Sequence, residues 1–184
     1  MKATDRLLQR WRVRRALAWV PDGASVLDVG CADGALFDLG RARIRSGIGI
    51  EPDSSIQEWR GPASTRRVTG GFPDSSPDGE RFDAITMLAV IEHVEDSELV
   101  EWAQACQRLL NPGGRVIATI PSPFVDKILH VGMRLRLLDG MDAHQHHGLD
   151  PSGVPAFFTD AGFTLETHDR FQLGLNNLIV LRKA

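Results

Sequence analysis

From residue 4 to 19 the apolar side chains Leu7, Leu8, Trp11, Ala16, Leu17 and Trp19 recur at helical spacing, with Arg6, Arg10, Arg12, Arg14 and Arg15 among them. Thr4 stands where an N-cap belongs and Pro21-Asp22-Gly23 is a stop, which predicts one helix over 4–19. From Ser25 the pattern changes to short apolar runs, each ending at a turn signal. Strands are predicted at 25–29, 46–50, 67–69, 82–88, 115–120, 163–168 and 176–181. Between them helical stretches are predicted at 35–43, from Pro52-Asp53 to about Trp59, at 96–110 before Asn111-Pro112-Gly113-Gly114, and at 152–161. Residues 70–80, rich in Gly, Pro, Ser and Asp, read as a loop. Strands alternating with helices imply an α/β fold, an open, doubly wound, mostly parallel seven-stranded sheet with helices on both faces. A chain of 184 residues suits a single domain over 1–184, with the N-terminal helix (1–22) and residues 122–151 as appendages.

Composition narrows the function without naming it. Net charge is −3 from 21 basic and 24 acidic residues, so nucleic-acid binding would need a local patch, such as the arginines of the first helix. The more ordinary reading of that helix packs it on the domain with its arginines in water. No apolar run reaches the roughly 20 residues of a membrane span, and arginines interrupt any secretory h-region near the N-terminus. Two cysteines, Cys31 and Cys106, make no CxxC pair, which points to a reducing, cytoplasmic setting.

In such sheets a ligand binds beyond the carboxyl ends of the strands, near the point where strand order reverses. Three strand ends are informative together. Asp28-Val29-Gly30-Cys31-Ala32-Asp33-Gly34 has glycines that let a ligand approach the backbone. Glu51, ending the second strand, can accept two hydrogen bonds from a ribose diol. Gly71-Phe72-Pro73 after the third strand is placed to meet an adenine edge or face. A dinucleotide would need G-x-G-x-x-G, but the middle position is Ala32, and Asp33 would face a pyrophosphate. Asp28, Asp33 and strand-end carbonyls suit a cation instead, favouring a sulfonium cofactor over NAD.

VLDVGCADGALF (26–37), GIGIEPD (47–53), FDAITMLAVIEHVED (82–96) and LLNPGGRVIATIPS (109–122) resemble the consecutive motifs of class I S-adenosylmethionine-dependent methyltransferases. The branch they look most like is the small-molecule group containing ubiquinone-biosynthesis-type enzymes. The resemblance implies the Rossmann-like methyltransferase fold, S-adenosylmethionine as cofactor and S-adenosylhomocysteine as product. It places Gly30, Cys31, Ala32 and Gly34 against the methionine part, and has Asp28 brace that loop and the ligand amine. Glu51 would hold the ribose, Pro52 would lie against the adenine, and Met87 and Leu88 would offer backbone oxygens to the amine. Two departures stand out. Ala32 replaces the usual second glycine, and Gly70-Gly71-Phe72 stands where an acidic residue commonly meets the adenine amine.

Glu92-His93 falls just past the fourth strand. His93 reads as a general base or substrate-orienting donor, as a cap on the following turn, or as one ligand of a metal held with Glu92 and a loop histidine such as His146. A Glu-x-x-Glu-His metal pattern is known in one branch of the resembling family, but its first glutamate is Ala89 here. His144, His146 and His147 fall in the connection that in this family passes over the acceptor pocket, where His146 is a second candidate base. Residues 122–139, with Phe124, Ile128, Leu129, Met133 and Leu135, are apolar enough to form a helix closing over that pocket or simply to pack in the core. Lys127, Arg134 and Arg136 in that stretch are candidates to meet an acidic substrate group.

The function expected is methyl transfer to a small-molecule acceptor at O, N or C by in-line displacement, in a monomer or homodimer. A cofactor-binding regulatory or assembly protein of the same fold is the alternative, supported by the missing glycine and the absent acidic adenine contact.

Overall fold

The computed structural model describes residues 3–122 and 150–184. The predicted lid, with Lys127, Arg134, Arg136, His144, His146 and His147, lies outside the described residues, as does the Thr4 side chain.

The described elements are α1 (Ala3–Leu17), β1 (Ala24–Val29), α2 (Ala35–Leu39), β2 (Ile44–Glu51), β3 (Thr65–Thr69), β4 (Phe82–Leu88), a 3-10 turn (Ile91–His93), α3 (Asp96–Leu109), β5 (Leu110–Pro121), α4 (Val154–Asp160), β6 (Phe163–Phe171) and β7 (Asn176–Lys183). The strands form one seven-stranded sheet in the order β3-β2-β1-β4-β5-β7-β6. Strands β1 to β5 are parallel, and β7 runs antiparallel to both neighbours. β1 lies between β2 and β4, so strand order reverses there and the crevice opens at the carboxyl ends of β1 and β4.

The central strands read as continuous apolar runs because both faces are covered. On one face Leu27, Val29, Ile85, Met87 and Ile179 pack against α3 and α4; on the other Val26, Ala84, Ile117 and Val180 pack against α1 and α2. Helix α3 buries Leu99, Trp102, Ala103 and Cys106 and starts with a capping box in which Glu95 and Glu98 bond each other's backbone amides. Helix α1 seats Val13 and Ala16 on the sheet while Leu7, Leu8 and Trp11 stay 67%, 44% and 47% exposed.

Three expectations need correction. Residues 52–60 are irregular rather than helical, because almost nothing between Pro52 and Glu58 is buried and only Trp59 finds packing. Helix α2 stops at Leu39 instead of Arg43: Gly40 caps it, and the Arg43 guanidinium donates to the carbonyls of Leu17 and Val20, each at 3.1 Å. Residues 111–114 do not precede the fifth strand but form a bulge within it. Phe82 and Ala84 of β4 oppose Leu110 and Arg115, with Gly113 at φ 74°.

Candidate active site

The loop after β1 turns on Gly30 at φ 70°, and a Cβ there would stand 2.5 Å from the Val90 methyl Cγ2. Its amide donates to the Ile50 carbonyl at 2.9 Å, which ties the loop to the end of β2. Ala32, in the middle glycine position, also takes a left-handed backbone, φ 45°. Such a conformation costs a side-chain-bearing residue about 1–2 kcal/mol. What holds it is Glu51: the Ala32 N–H donates to Oε2 at 2.9 Å and the Asp53 N–H to Oε1 at 3.0 Å. One buried carboxylate thus joins the first motif loop to the chain after β2, and each oxygen keeps a further lone pair for a ligand.

Asp28 lies one strand inward, 4% exposed, and its Oδ1 accepts the Thr86 hydroxyl at 2.6 Å. Burial raises its pKa to about 7; the Thr86 bond opposes that rise and the charge of Glu51 adds to it. Cys31 turns its sulfur onto Gly49 and burial pushes its thiol pKa up, while its N–H donates to the Ile50 carbonyl at 3.2 Å and its carbonyl accepts the Gly34 N–H at 2.9 Å.

Other residues fall less simply. Asp33 is committed within the protein: Oδ1 accepts the Ala35 N–H at 3.2 Å and Oδ2 pairs with Arg60 at 3.3 Å. The sequence argument gave it to the ligand, but its charge is met by Arg60. Phe72 is 8% exposed and packs edge-on against Trp102, ring centroids 5.1 Å apart, whereas Gly71 is exposed with nothing within 4 Å of a built Cβ. Pro52 is exposed, Met87 is buried in the core, and Leu88 is partly buried at the end of β4. His93 is exposed on the 3-10 turn while its neighbour Glu92 is 7% exposed. Burial raises the Glu92 pKa to about 7, with its own backbone bond and the charge of Arg12 pulling the other way. Among the described residues no three His, Cys, Asp or Glu side chains converge on a metal position; His146 lies outside them.

Sequence reasoning missed Trp59, whose ring would stand 2.8 Å from a Cβ on Gly34 and 2.6 Å from one on Gly61. It seals the floor of the loop and leans on Phe37 at 5.7 Å. The one available signal was a lone tryptophan in a polar stretch after a strand end. Two clefts, about 360 and 260 Å³, lie elsewhere, one between residues 73–81 and Arg108-Leu109, the other by the amino ends of β1 and β4.

The residues fit a cationic adenosine cofactor: two buried carboxylates, Asp28 and Glu51, stand beside the glycine-bearing loop at one switch point. Residues 2–168 match the family model of the methyltransferase domain. The chain belongs to this family. The methyltransferase is 30% identical over 168 residues to the ubiquinone biosynthesis O-methyltransferase of Pseudomonas paraeruginosa (strain DSM 24068 / PA7), covering 85% of this chain and 70% of that one. It is 29% identical over 160 residues to the ubiquinone biosynthesis O-methyltransferase of Xanthomonas axonopodis pv. citri (strain 306), covering 79% and 65%. The methyltransferase chain therefore spans about two thirds of the length of these curated relatives. Its fold is shared with the magnesium protoporphyrin IX methyltransferase from Synechocystis PCC 6803, solved with bound SAH, at a TM-score of 0.67 and 16% identity over 97% of this chain and 85% of that one. The reaction class is S-adenosylmethionine-dependent methyl transfer, and the reading as a binding module without transfer is not favoured. Among the described residues no helix is long and apolar enough to cross a membrane.

Proposed function

We propose that this protein transfers the methyl group of S-adenosylmethionine to a hydroxyl oxygen of a small-molecule acceptor. The observation that carries the reading is Glu51, whose carboxylate stands at the end of β2, ties down the Gly30–Gly34 loop and retains acceptor capacity for a ribose diol. The O-methyltransferase relatives favour oxygen over nitrogen or carbon as the atom methylated.

When bound, the cofactor supplies an electrophilic methyl on a sulfonium. The acceptor oxygen would take that methyl as the carbon–sulfur pair stays with sulfur, and a protein base would take the hydroxyl proton. The protein's share is alignment and exclusion of water. The Gly30 backbone and Glu51 would hold the cofactor, and Met87 and Leu88 at the end of β4 would offer backbone oxygens to its amine. Asp28, brought into its ionised form by the ligand's positive charge, braces that end. His93 on the exposed turn and His146 are the candidates for the proton acceptor. One domain over 1–184 is the organisation proposed. Free, buried Cys31 and Cys106 support a cytoplasmic, reducing setting, and a monomer or homodimer is the assembly expected, checked by light scattering.

Calorimetric titration with S-adenosylmethionine and S-adenosylhomocysteine, with NAD as control, tests the cofactor half. Binding near micromolar, about −8 kcal/mol, and its loss in Glu51→Ala would support it. Transfer of labelled methyl to hydroxyl-bearing compounds but not to their methyl ethers tests the acceptor half.

A further inference from the structure

Four buried side-chain atoms have no hydrogen-bond partner among the described residues and come from elements that meet beneath α1: Nε of Arg12, Oε2 of Glu92, Oγ1 of Thr119 and Oδ1 of Asn176. Glu92, Thr119 and Asn176 are 7%, 0% and 6% exposed, so bulk water does not serve them. Leaving such a group unpaired costs about 1–3 kcal/mol, and native proteins retain few of them.

The topology brings these residues to one end of the sheet. Thr119 sits beside Leu88 in the β4–β5 ladder, and its carbonyl accepts the N–H of Ala89, three residues before Glu92. Asn176 opposes Pro121 across the β5–β7 ladder. By strand alternation Thr119 shares a face with Ile117, and Asn176 with Leu178, both of which pack in the cluster under α1. Arg12 reaches down from α1 to within range of the Glu92 charge. The Asn176 amide donates to Gln172, whose own amide donates to the Leu8 carbonyl at 3.0 Å, so the helix above is tied to the strands below.

We infer that these four atoms form the acceptor subsite of the transferase, and that Arg12 and Glu92 together select a neutral hydroxyl group. The inference rests on the functional reading above. The Arg12 Nε–H only donates, and Glu92, whose pKa burial raises to about 7, only accepts once it is ionised above that pH. A hydroxyl does both at once, its oxygen taking the Arg12 proton and its hydrogen going to Glu92. A ligand carboxylate would satisfy Arg12 and face Glu92, and a ligand ammonium would do the reverse. Either leaves a buried charge opposed, which is discrimination by repulsion. Thr119 and Asn176 then offer partners to further polar atoms of the same ligand.

The test uses the full chain loaded with S-adenosylhomocysteine at about pH 8.5, where Glu92 is ionised, and three phenols, resorcinol, 3-hydroxybenzoate and tyramine, which are neutral, anionic and cationic. Binding is measured for wild type, Glu92→Gln, Arg12→Met, Arg12→Lys and the double variant Arg12→Met/Glu92→Gln. The expected result is a preference of tenfold or more for resorcinol in wild type. Glu92→Gln and Arg12→Met each lose tenfold or more of that affinity with S-adenosylhomocysteine affinity held within twofold, and Arg12→Lys keeps part of it. The double variant should melt within about 3 °C of wild type, since a buried pair lacking a mutual bond adds little stability. Unchanged resorcinol affinity in both single variants, no resorcinol binding to the loaded wild type, or equal loss of S-adenosylhomocysteine affinity would each overturn the inference. If S-adenosylhomocysteine fails to bind the wild type, the functional reading falls first and takes the inference with it.

Discussion

Cofactor binding should release a proton, and Asp28 should be its source. Burial holds this carboxyl near pKa 7 in the ligand-free protein, so about half of it is protonated at neutral pH. A positive ligand group within about 4–6 Å favours the ionised form by roughly 1–3 units. Binding S-adenosylmethionine should then release about 0.5 proton at pH 7 and more toward pH 6, and affinity should rise as pH climbs from 5 to 7. The assay is titration calorimetry at pH 6.5 in buffers of different ionisation enthalpy, where the slope of apparent enthalpy counts protons. Asp28→Asn keeps an acceptor for the Thr86 hydroxyl and removes the titration, so its slope should be near zero. Stability carries the same signature with its own sign. The folded pKa lies above the unfolded value of 3.8, so the unfolded chain binds fewer protons between pH 4 and 7. The Asp28 contribution therefore weakens stability as pH rises through that window and levels off above 7. Its full amplitude is on the order of 4 kcal/mol, read as the difference between wild-type and Asp28→Asn unfolding curves. A flat enthalpy-against-buffer plot for wild type, or an identical slope in Asp28→Asn, would refute the assignment of the proton to this residue.

Other outcomes are equally checkable. Ala32→Gly should relieve left-handed strain of about 1–2 kcal/mol against about 0.5–1 kcal/mol of glycine entropy, raising the midpoint of urea unfolding slightly; a clear drop would show that the alanine methyl contributes packing. Gly30→Ala places a methyl 2.5 Å from Val90 at φ 70° and should cost about 2–4 kcal/mol, with cofactor affinity falling as well. Gly71→Asp enters open space at a φ that a side chain tolerates, and an added bond to the adenine amine of about 1 kcal/mol should tighten S-adenosylhomocysteine roughly fivefold by calorimetry. Both cysteines, buried with their thiol pKa values pushed up, should alkylate with iodoacetamide at pH 8 only as fast as the protein unfolds.

The sheet was legible because its strands are covered on both faces. Leu27, Ile48, Ile50, Ile85 and Ile117 had to be apolar whichever way they pointed, and turn residues ended each run. Glu51 was legible as a strand-end carboxylate facing a glycine loop. The stretch after it was not. Pro52-Asp53 is a sound helix start, yet residues 52–58 have no apolar face to bury, and beyond its near neighbour Gly61 the Trp59 ring meets Gly34 and Gly49 from two distant segments. No local pattern encodes such a contact. Asp33 misled for a related reason: its partner Arg60 lies 27 positions away, so its charge looked available to a ligand when it was already met.

The carboxylates show most clearly what sequence withholds. Glu166, on β6, is bridged by Arg115 at 2.6 Å and 3.2 Å, and that bond lowers its pKa. Glu92 and Asp28 are the same kinds of residue, and burial shifts both the opposite way, to about 7. The difference lies in geometry: Glu166 has its cation in hydrogen-bond contact at a partly exposed edge, whereas Asp28 has only a hydroxyl and Glu92 only its own backbone bond and a distant arginine. A chain selected for stability alone would gain by replacing either with an apolar residue, because each carries a desolvation cost that no protein partner repays. Both instead sit at the carboxyl ends of the strands that flank the switch point, where a cation and a polar acceptor would supply the missing partners. Such placement is what a site held ready for two reactants would require.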